Sequence, residues 1–360
     1  MKDKSRVEFG CRIFLKAAEP FTAIVERARL CEKLGFDSVL VDDHLLYGTG
    51  SAAAPEPFTA LAAIGLQTKR IRVGVAVTDL ARRHPAIVAQ TVATLANFLP
   101  HRIFLGLGTG DPMNQTPFGL SSRHSFSVLK EGLGVLKMLW ASNIEKPANY
   151  KGQFFSLKRA YLQLGSDTLA PPIYLAAFGK KMLRLAGEQA DGWIPHCHTP
   201  STYKTDLGVI RKAANRVGRK FDTFRPAYYT VASTSGHSEV ADRNVLGPSK
   251  YFLALIPEGL EKVDPSVKHP GPIWEKASHP KTQRKIIHGI ASTIPDKPAL
   301  DIAIHGTPSD CIEQIERYRN AGCQEFMLTF TPEGGLWSAK NLVPMIRLFS
   351  AKVMSYFRNV

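Results

Sequence analysis

Short apolar runs alternate with amphipathic segments along almost the whole chain, and this alternation constrains the fold more than any single motif. Val7 to Phe14 reads as a strand, and Pro20 opens a helix in which Ile24, Ala28, Cys31 and Leu34 recur at helical spacing until Gly35 stops it. The next run, Ser38 to Val41, ends at Asp42-Asp43-His44, after which Gly48, Gly50, Ser51 and Pro55 mark a loop. Helices over Pro57–Gln67 and Pro85–Phe98 then alternate with strands over Ile71–Val77 and Ile103–Leu107. The spacing predicts further helices at Ser125–Trp140, from Lys180, after Pro200, at Pro308–Asn320 and at Ala339–Met354. Strands are expected at Ile173–Ala176, Gly192–Ile194, Ala227–Ala232 and Glu325–Phe330. About eight strands result, several of them unbroken apolar runs, as burial on both faces of a parallel sheet requires. The architecture expected is a (β/α)8 TIM barrel.

Two stretches break the rhythm. Ala141 to Ala170 reads as a short extended excursion before the fifth strand. Residues 235–297 mix helical fragments, Tyr251–Ile256 and Arg284–Ile290, with Pro257, Pro265, Pro270 and Pro272. They read as a helical insertion between strands 7 and 8, placed over the barrel mouth because substrate-specific structure is added to loops at the carboxyl ends of barrel strands. Residues 1–360 are accordingly taken as one domain.

With 44% hydrophobic and 21% charged residues in 360, the chain can bury enough apolar surface to fold, which excludes wholesale disorder. No run approaches a membrane span, and the opening MKDKSRVEFG lacks the apolar centre of a secretory signal, so a cytoplasmic protein is expected. Cys11, Cys31, Cys197, Cys311 and Cys323 form no C-x-x-C pair and suit reduced thiols. The formal charge of +15 fits an anionic partner, but no basic run is interleaved with aromatics, and nucleic-acid binding is not expected.

Polar residues that close barrel strands face the active site. Asp42, Asp43 and His44 do so, and a histidine beside a carboxylate suits proton transfer, although one aspartate can equally cap a turn. Glu19 closes the first strand-to-helix connection, where it can also favour the helix start. Gly106-Leu107-Gly108-Thr109-Gly110-Asp111 pairs glycines that admit a ligand with a carboxylate. Ala176-Ala177-Phe178-Gly179-Lys180-Lys181 puts amide donors and two cations at a helix start, an anion site by construction. Strand alternation would set His196 and His198 on one side, but no third ligand is spaced to complete a metal site, so none is expected. Arg82 and Arg83 could reach an anion or be solvated.

These motifs, in this order and spacing, resemble the bacterial luciferase-like superfamily, and within it the oxidoreductases that use the deazaflavin coenzyme F420. The resemblance rests on Leu34-Gly35-Phe36-Asp37-Ser38 leading to Asp43-His44, Arg70 to Val75 leading to Pro85-Ala86, and Arg102 to Gly110. Ala176-Ala177-Phe178-Gly179 with Ala190-Asp191-Gly192-Trp193, and Gly306-Thr307-Pro308, extend it over nearly the whole chain. It implies a bulge with a non-prolyl cis peptide at Ala76–Val77, forming with Thr78 and Asp43 a seat for the deazaflavin ring. It implies further that Gly108, Thr109 and Gly110, with Ala177, Phe178, Gly179 and Lys180, hold the coenzyme phosphate and its anionic tail.

The resemblance also casts His44 as the residue that exchanges the substrate proton and Asp43 as its orienting partner. Glu19 or Asp111 would assist at the substrate or ring nitrogen. The sugar-phosphate dehydrogenase branch has glutamate where this chain has Asp111. The Asp111 version is more similar to the methylenetetrahydromethanopterin reductase and ketone reductase branches. The expected activity is hydride transfer between F420 and an alcohol, ketone or pterin-type substrate by a homodimer. The alternatives are an FMN-dependent monooxygenase and a non-catalytic (deaza)flavin-binding protein.

Overall fold

A computed structural model describes residues 6–47, 52–164, 170–269, 271, 273, 280–335, 338 and 340–358. Eight parallel strands pair in sequence order: β1 (Glu8–Arg12), β2 (Ser38–Val41), β3 (Arg72–Asp79), β4 (Ile103–Gly108), β5 (Ile173–Leu175), β6 (Gly192–Trp193), β7 (Arg225–Thr234) and β8 (Glu325–Phe330). β8 pairs back onto β1, which closes the expected barrel.

Around it run α1 (Thr22–Lys33), α2 (Pro57–Leu66), α3 (Pro85–Phe98), α4 (Ser125–Trp140), α5 (Lys180–Gln189) and α6 (Pro200–Arg216). Between β7 and β8 lie α7 (Ser238–Leu255), α8 (Pro257–Val263), α9 (Pro280–Thr293), α10 (Asp296–Asp301) and α11 (Pro308–Asn320), and α12 (Leu342–Leu348) follows β8. Proline at the first helical position starts α2, α3, α6 and α11, where its missing N–H costs nothing. The preceding residue caps each: Glu56, His84, Thr199 and Thr307 accept from backbone N–H groups of the first turn. Those signals are local, so these helix starts coincide with the sequence-based ones.

Where tertiary contacts decide, the two differ. Ala148–Lys151 and Ser156–Ala160 form an antiparallel pair inside the expected excursion. Tyr251–Leu255 is only the last part of α7, which runs through Pro248, and Ile304–Gly306 adds a short parallel strand beside the end of β7. Gly48, Gly50, Ser51, residues 165–169, Pro270, Pro272 and Ala339 fall outside the described residues.

Alternation along each strand separates two cores. One set, including Phe9, Val39, Val73 and Leu105, packs against the helices, whereas Leu40, Phe104, Tyr174 and Met327 fill the barrel interior. The interior accommodates these bulky groups by placing glycine opposite them. A Cβ at Gly74 would lie 2.5 Å or less from three Phe104 ring atoms, and one at Gly192 would lie 2.5 Å from the Tyr174 ring. Beneath them Glu325 accepts from Tyr174 Oη at 2.9 Å and from Arg72 at 2.8 Å, so the buried charge is paired.

β3 shifts register against β4 between Val75 and Thr78, and the Ala76–Val77 peptide is cis. The bulge explains the β4 glycines differently from the sequence reading. A Cβ on Gly106 would sit 2.5 Å from the Val75 carbonyl oxygen, and one on Gly108 would sit 2.9 Å from a Val77 methyl. Their smallness is required by the adjacent strand and not by a ligand alone. Because the Gly106 obstacle is backbone, Gly106→Ala is expected to destabilise the protein by about 1–3 kcal/mol, as overpacking does. Thermal melts showing an unchanged Tm would contradict this account.

Candidate functional site

The interior parity continues to the carboxyl ends of the strands and there builds a cavity of about 390 Å³, within the range of small-molecule sites. Arg12 from β1, Asp42 after β2, Ala76 from β3, Gly108 from β4, Ala176 after β5, His196 after β6 and Tyr229 from β7 all line it. Tyr251, Phe252 and Leu255 from α7, with Ile256, Pro257 and Glu258, close one side.

Its floor is a buried ion pair. Arg12 Nε donates to both Asp42 oxygens at 2.9 Å, and Nη2 also bonds the carboxylate. Burial alone would raise the Asp42 pKa, but the Arg12 charge and its hydrogen bonds outweigh that and hold it below the usual value. Tyr47 Oη donates to Asp42 at 3.1 Å, and the Tyr47 ring stacks on His44 at a centroid distance of 4.7 Å.

His44 has a second support, one residue type away from what the sequence suggested. Asn114 Oδ1 accepts from Leu45 N at 2.7 Å and Leu46 N at 2.9 Å, which fixes the amide orientation. The Asn114 Nδ2 group therefore donates to His44 Nδ1 at 2.9 Å. With Nδ1 as acceptor, the neutral ring carries its proton on Nε2.

Asp43 is not the orienting partner. Its carboxylate is clamped by Arg83 Nε at 2.8 Å, Arg83 Nη2 at 3.0 Å, Arg82 Nη1 at 3.3 Å and the Thr78 hydroxyl. No hydrogen bond among the described residues joins it to His44. Arg82 and Arg83 are thus bound internally, Arg82 also by Asp79, and neither is simply solvated.

Of the residues singled out from the sequence, His44, Asp43, Asp111, Ala76, Val77, Thr78, Gly108, Thr109, Gly110 and Phe178 come together around the cavity. Burial pushes the Asp111 carboxyl upward, against the His44 charge and a 2.9 Å bond from Met113 N. Glu19 does not join them. It accepts from Lys16 N at 2.8 Å and pairs with Arg27, a local clamp beside α1. Ala177 is fully buried behind the wall, where its carbonyl accepts from Trp193 Nε1 at 2.9 Å. Gly179 and Lys180 stand outside the cavity at the start of α5, which has no side-chain cap and no acid in its first turn.

His196 and His198 part company because Cys197 has φ 53°, which breaks the alternation. His198 turns to Asp206 at 2.9 Å, while His196 faces the cavity. Asn114 and Tyr229 were not singled out from the sequence. Arg12 was legible in principle, since a charge inside an apolar strand at the parity of Gly10 must point into the barrel.

The residues present fit a planar ring with a polar edge. One wall is the strand segment Ala76–Thr78, and the buried His196 Nε2 has no partner among the described residues.

Residues 8–325 match the family described as luciferase-like monooxygenase, and the chain belongs to it. An F420-dependent glucose-6-phosphate dehydrogenase of Nakamurella multipartita is 34% identical over 228 residues, 60% of this chain and 64% of that protein. The phthiodiolone/phenolphthiodiolone dimycocerosates ketoreductase of Mycobacterium tuberculosis is 30% identical over 82% of this chain and 84% of its own. An F420-dependent secondary alcohol dehydrogenase, solved with an F420–acetone adduct, superposes with a TM-score of 0.79 at 25% identity, covering 96% of this chain and 98% of that one.

The Asp43 clamp makes a test of the electrostatics. Burial would raise its pKa, but the Arg83 bonds, the Arg82 charge and Thr78 together hold it below the ordinary value. A depressed carboxyl stabilises the fold above its unfolded value of about 4, and that contribution is lost as the pH falls through the native value. Wild type and Asp43→Asn should therefore differ most in Tm near neutral pH and converge in acid. A difference that grows on acidification would contradict the clamp.

Proposed function

We propose that the chain is a coenzyme F420-dependent oxidoreductase acting on a carbon centre of an alcohol, ketone or pterin-type substrate. The observation that carries this reading is the cavity that His44, held by Asn114 and Tyr47, lines together with the Ala76–Thr78 bulge. Relatives named as F420-dependent enzymes support the choice of cofactor.

Ala76, Val77 and Thr78 would seat the deazaflavin ring, with Gly108, Thr109 and Gly110 beside it. The uncapped start of α5, bearing Lys180 and Lys181, would receive the anionic tail, since cations beside a helix's positive end are favourable only with an anion between them. When bound, the coenzyme supplies or takes up the hydride at the substrate carbon. His44 Nε2–H donates to the substrate oxygen, stabilising the negative charge that grows there during reduction, and is where the oxygen's proton is exchanged. Asp43 holds the bulge through Thr78 and anchors Arg82 and Arg83.

One domain, with α7 to α10 covering the mouth, belongs to the same proposal, supported by the cavity contacts of α7. So do a cytoplasmic location, for which the five unbridged cysteines speak, and a homodimer, for which the exposed Leu66, Ile87 and Phe98 on α2 and α3 offer apolar surface.

Titration of the purified protein with F420, FMN and NADPH, followed by fluorescence, should show binding of F420 in preference to the others. Retained FMN with oxygen consumption would replace this reading by a monooxygenase. His44→Ala should lower kcat about 100-fold or more, as loss of a general acid–base group does, with F420 affinity unchanged. Asn114→Ala, which frees Nδ1 and the tautomer, should lower kcat by a smaller factor, roughly 10-fold, measured in the same assay.

A further inference from the structure

His196 is a buried imidazole whose two nitrogens have different fates. Nδ1 accepts from Cys197 N at 2.8 Å, so the neutral ring carries its proton on Nε2. That Nε2–H has no acceptor among the described residues, although the side chain is 6% exposed and lines the cavity. A buried donor left unpaired is costly, and natural proteins keep few of them. Phe252 of α7 packs on the ring at 4.3 Å between centroids and Tyr229 meets it edge-on at 5.1 Å, so two aromatic faces flank it. Burial, with the nearby His198 and Arg12 charges, pulls the ring's pKa down to about 3, so it stays uncharged at working pH.

The charges around it point the same way. Both guanidiniums of the wall are committed, Arg12 to Asp42 and Arg82 to Asp43 and Asp79. Glu258 also lines the cavity, and no lysine does so among the described residues. Such a chamber opposes a phosphate dianion and suits a neutral acceptor on an apolar body.

We infer that His196 Nε2–H is the recognition donor for the oxygen of an uncharged carbonyl or secondary alcohol substrate, whose apolar body packs against Phe252 and Leu255, and that sugar phosphates are excluded. This deepens and rests on the reading of the preceding subsection. His44 remains the group that handles the proton, and His196 fixes which oxygen compounds enter.

The test uses the full chain with reduced F420 for the probes cyclohexanone and 2-octanone and with oxidised F420 for the probe glucose 6-phosphate. The uncharged ketones should be reduced and glucose 6-phosphate should not be oxidised. His196→Phe keeps the ring shape and removes the donor, so KM for the ketones should rise about 10- to 100-fold, with kcat changed much less. His196→Gln, whose Nε2 can take the place of the imidazole N–H, should recover most of that. In ¹H–¹⁵N spectra of the wild type, the His196 Nε2–H signal should shift when cyclohexanone is added, a readout independent of turnover. Preference for glucose 6-phosphate, no turnover of either ketone, an unchanged KM in His196→Phe, or an unmoved Nε2–H signal each overturns the inference. So does a joint fall of Tm and F420 affinity in His196→Phe without recovery in His196→Gln, which would make the residue structural. Failure of the wild type to bind F420, seen separately by fluorescence, would instead remove the functional reading on which the inference rests.

Discussion

The site is organised around one buried ion pair, Arg12 with Asp42, at the floor of the cavity. Two charges can stay in so dry a place only when each satisfies the other, and removing either would leave an uncompensated charge. That requirement fixes the first and second strands at their carboxyl ends. Asp42 also receives Tyr47, Tyr47 stacks on His44, and His44 in turn receives Asn114 from the turn after β4. The orientation of the proposed proton-exchanging histidine thus depends on a pair that it does not touch.

A second consequence of closure is a division of labour among neighbours in sequence. Asp42 points into the barrel, Asp43 turns to the arginines after β3, and His44 stands at the rim, so three consecutive polar residues serve three different structures. The same holds at His196-Cys197-His198, where a single left-handed residue sends one imidazole to the cavity and the other to Asp206. Strand-end position alone marks such residues as candidates. Only the path of the chain just beyond the strand assigns them.

The relatives differ in what their names say they act on, glucose 6-phosphate in one and phthiodiolone or phenolphthiodiolone dimycocerosates in another. In this chain the bulge, the glycines that make room for it and the strand-end polar residues form one part of the cavity. The remaining wall is built by residues after β6 and by α7 from the segment between β7 and β8. That wall carries the aromatic Tyr251 and Phe252 and the acidic Glu258.

The sequence by itself determined the alternation of strand and helix, because apolar periodicity and proline or threonine caps act over a few residues and tertiary contacts reinforce them. It also located the strand ends, and hence Asp43, His44 and the Gly108–Asp111 turn. It did not determine that α7 continues through Pro248, that Glu19 is spent on Lys16 and Arg27, or that Asn114 and not Asp43 holds His44. The last of these, like the Arg12–Asp42 pair, depends on which groups distant in the chain meet once the barrel closes, with hydrogen bonds that join residues about 30 to 70 positions apart. Local pattern carries no information about such pairings, since the free energy that selects them comes from burying polar groups together, and burial exists only in the folded structure.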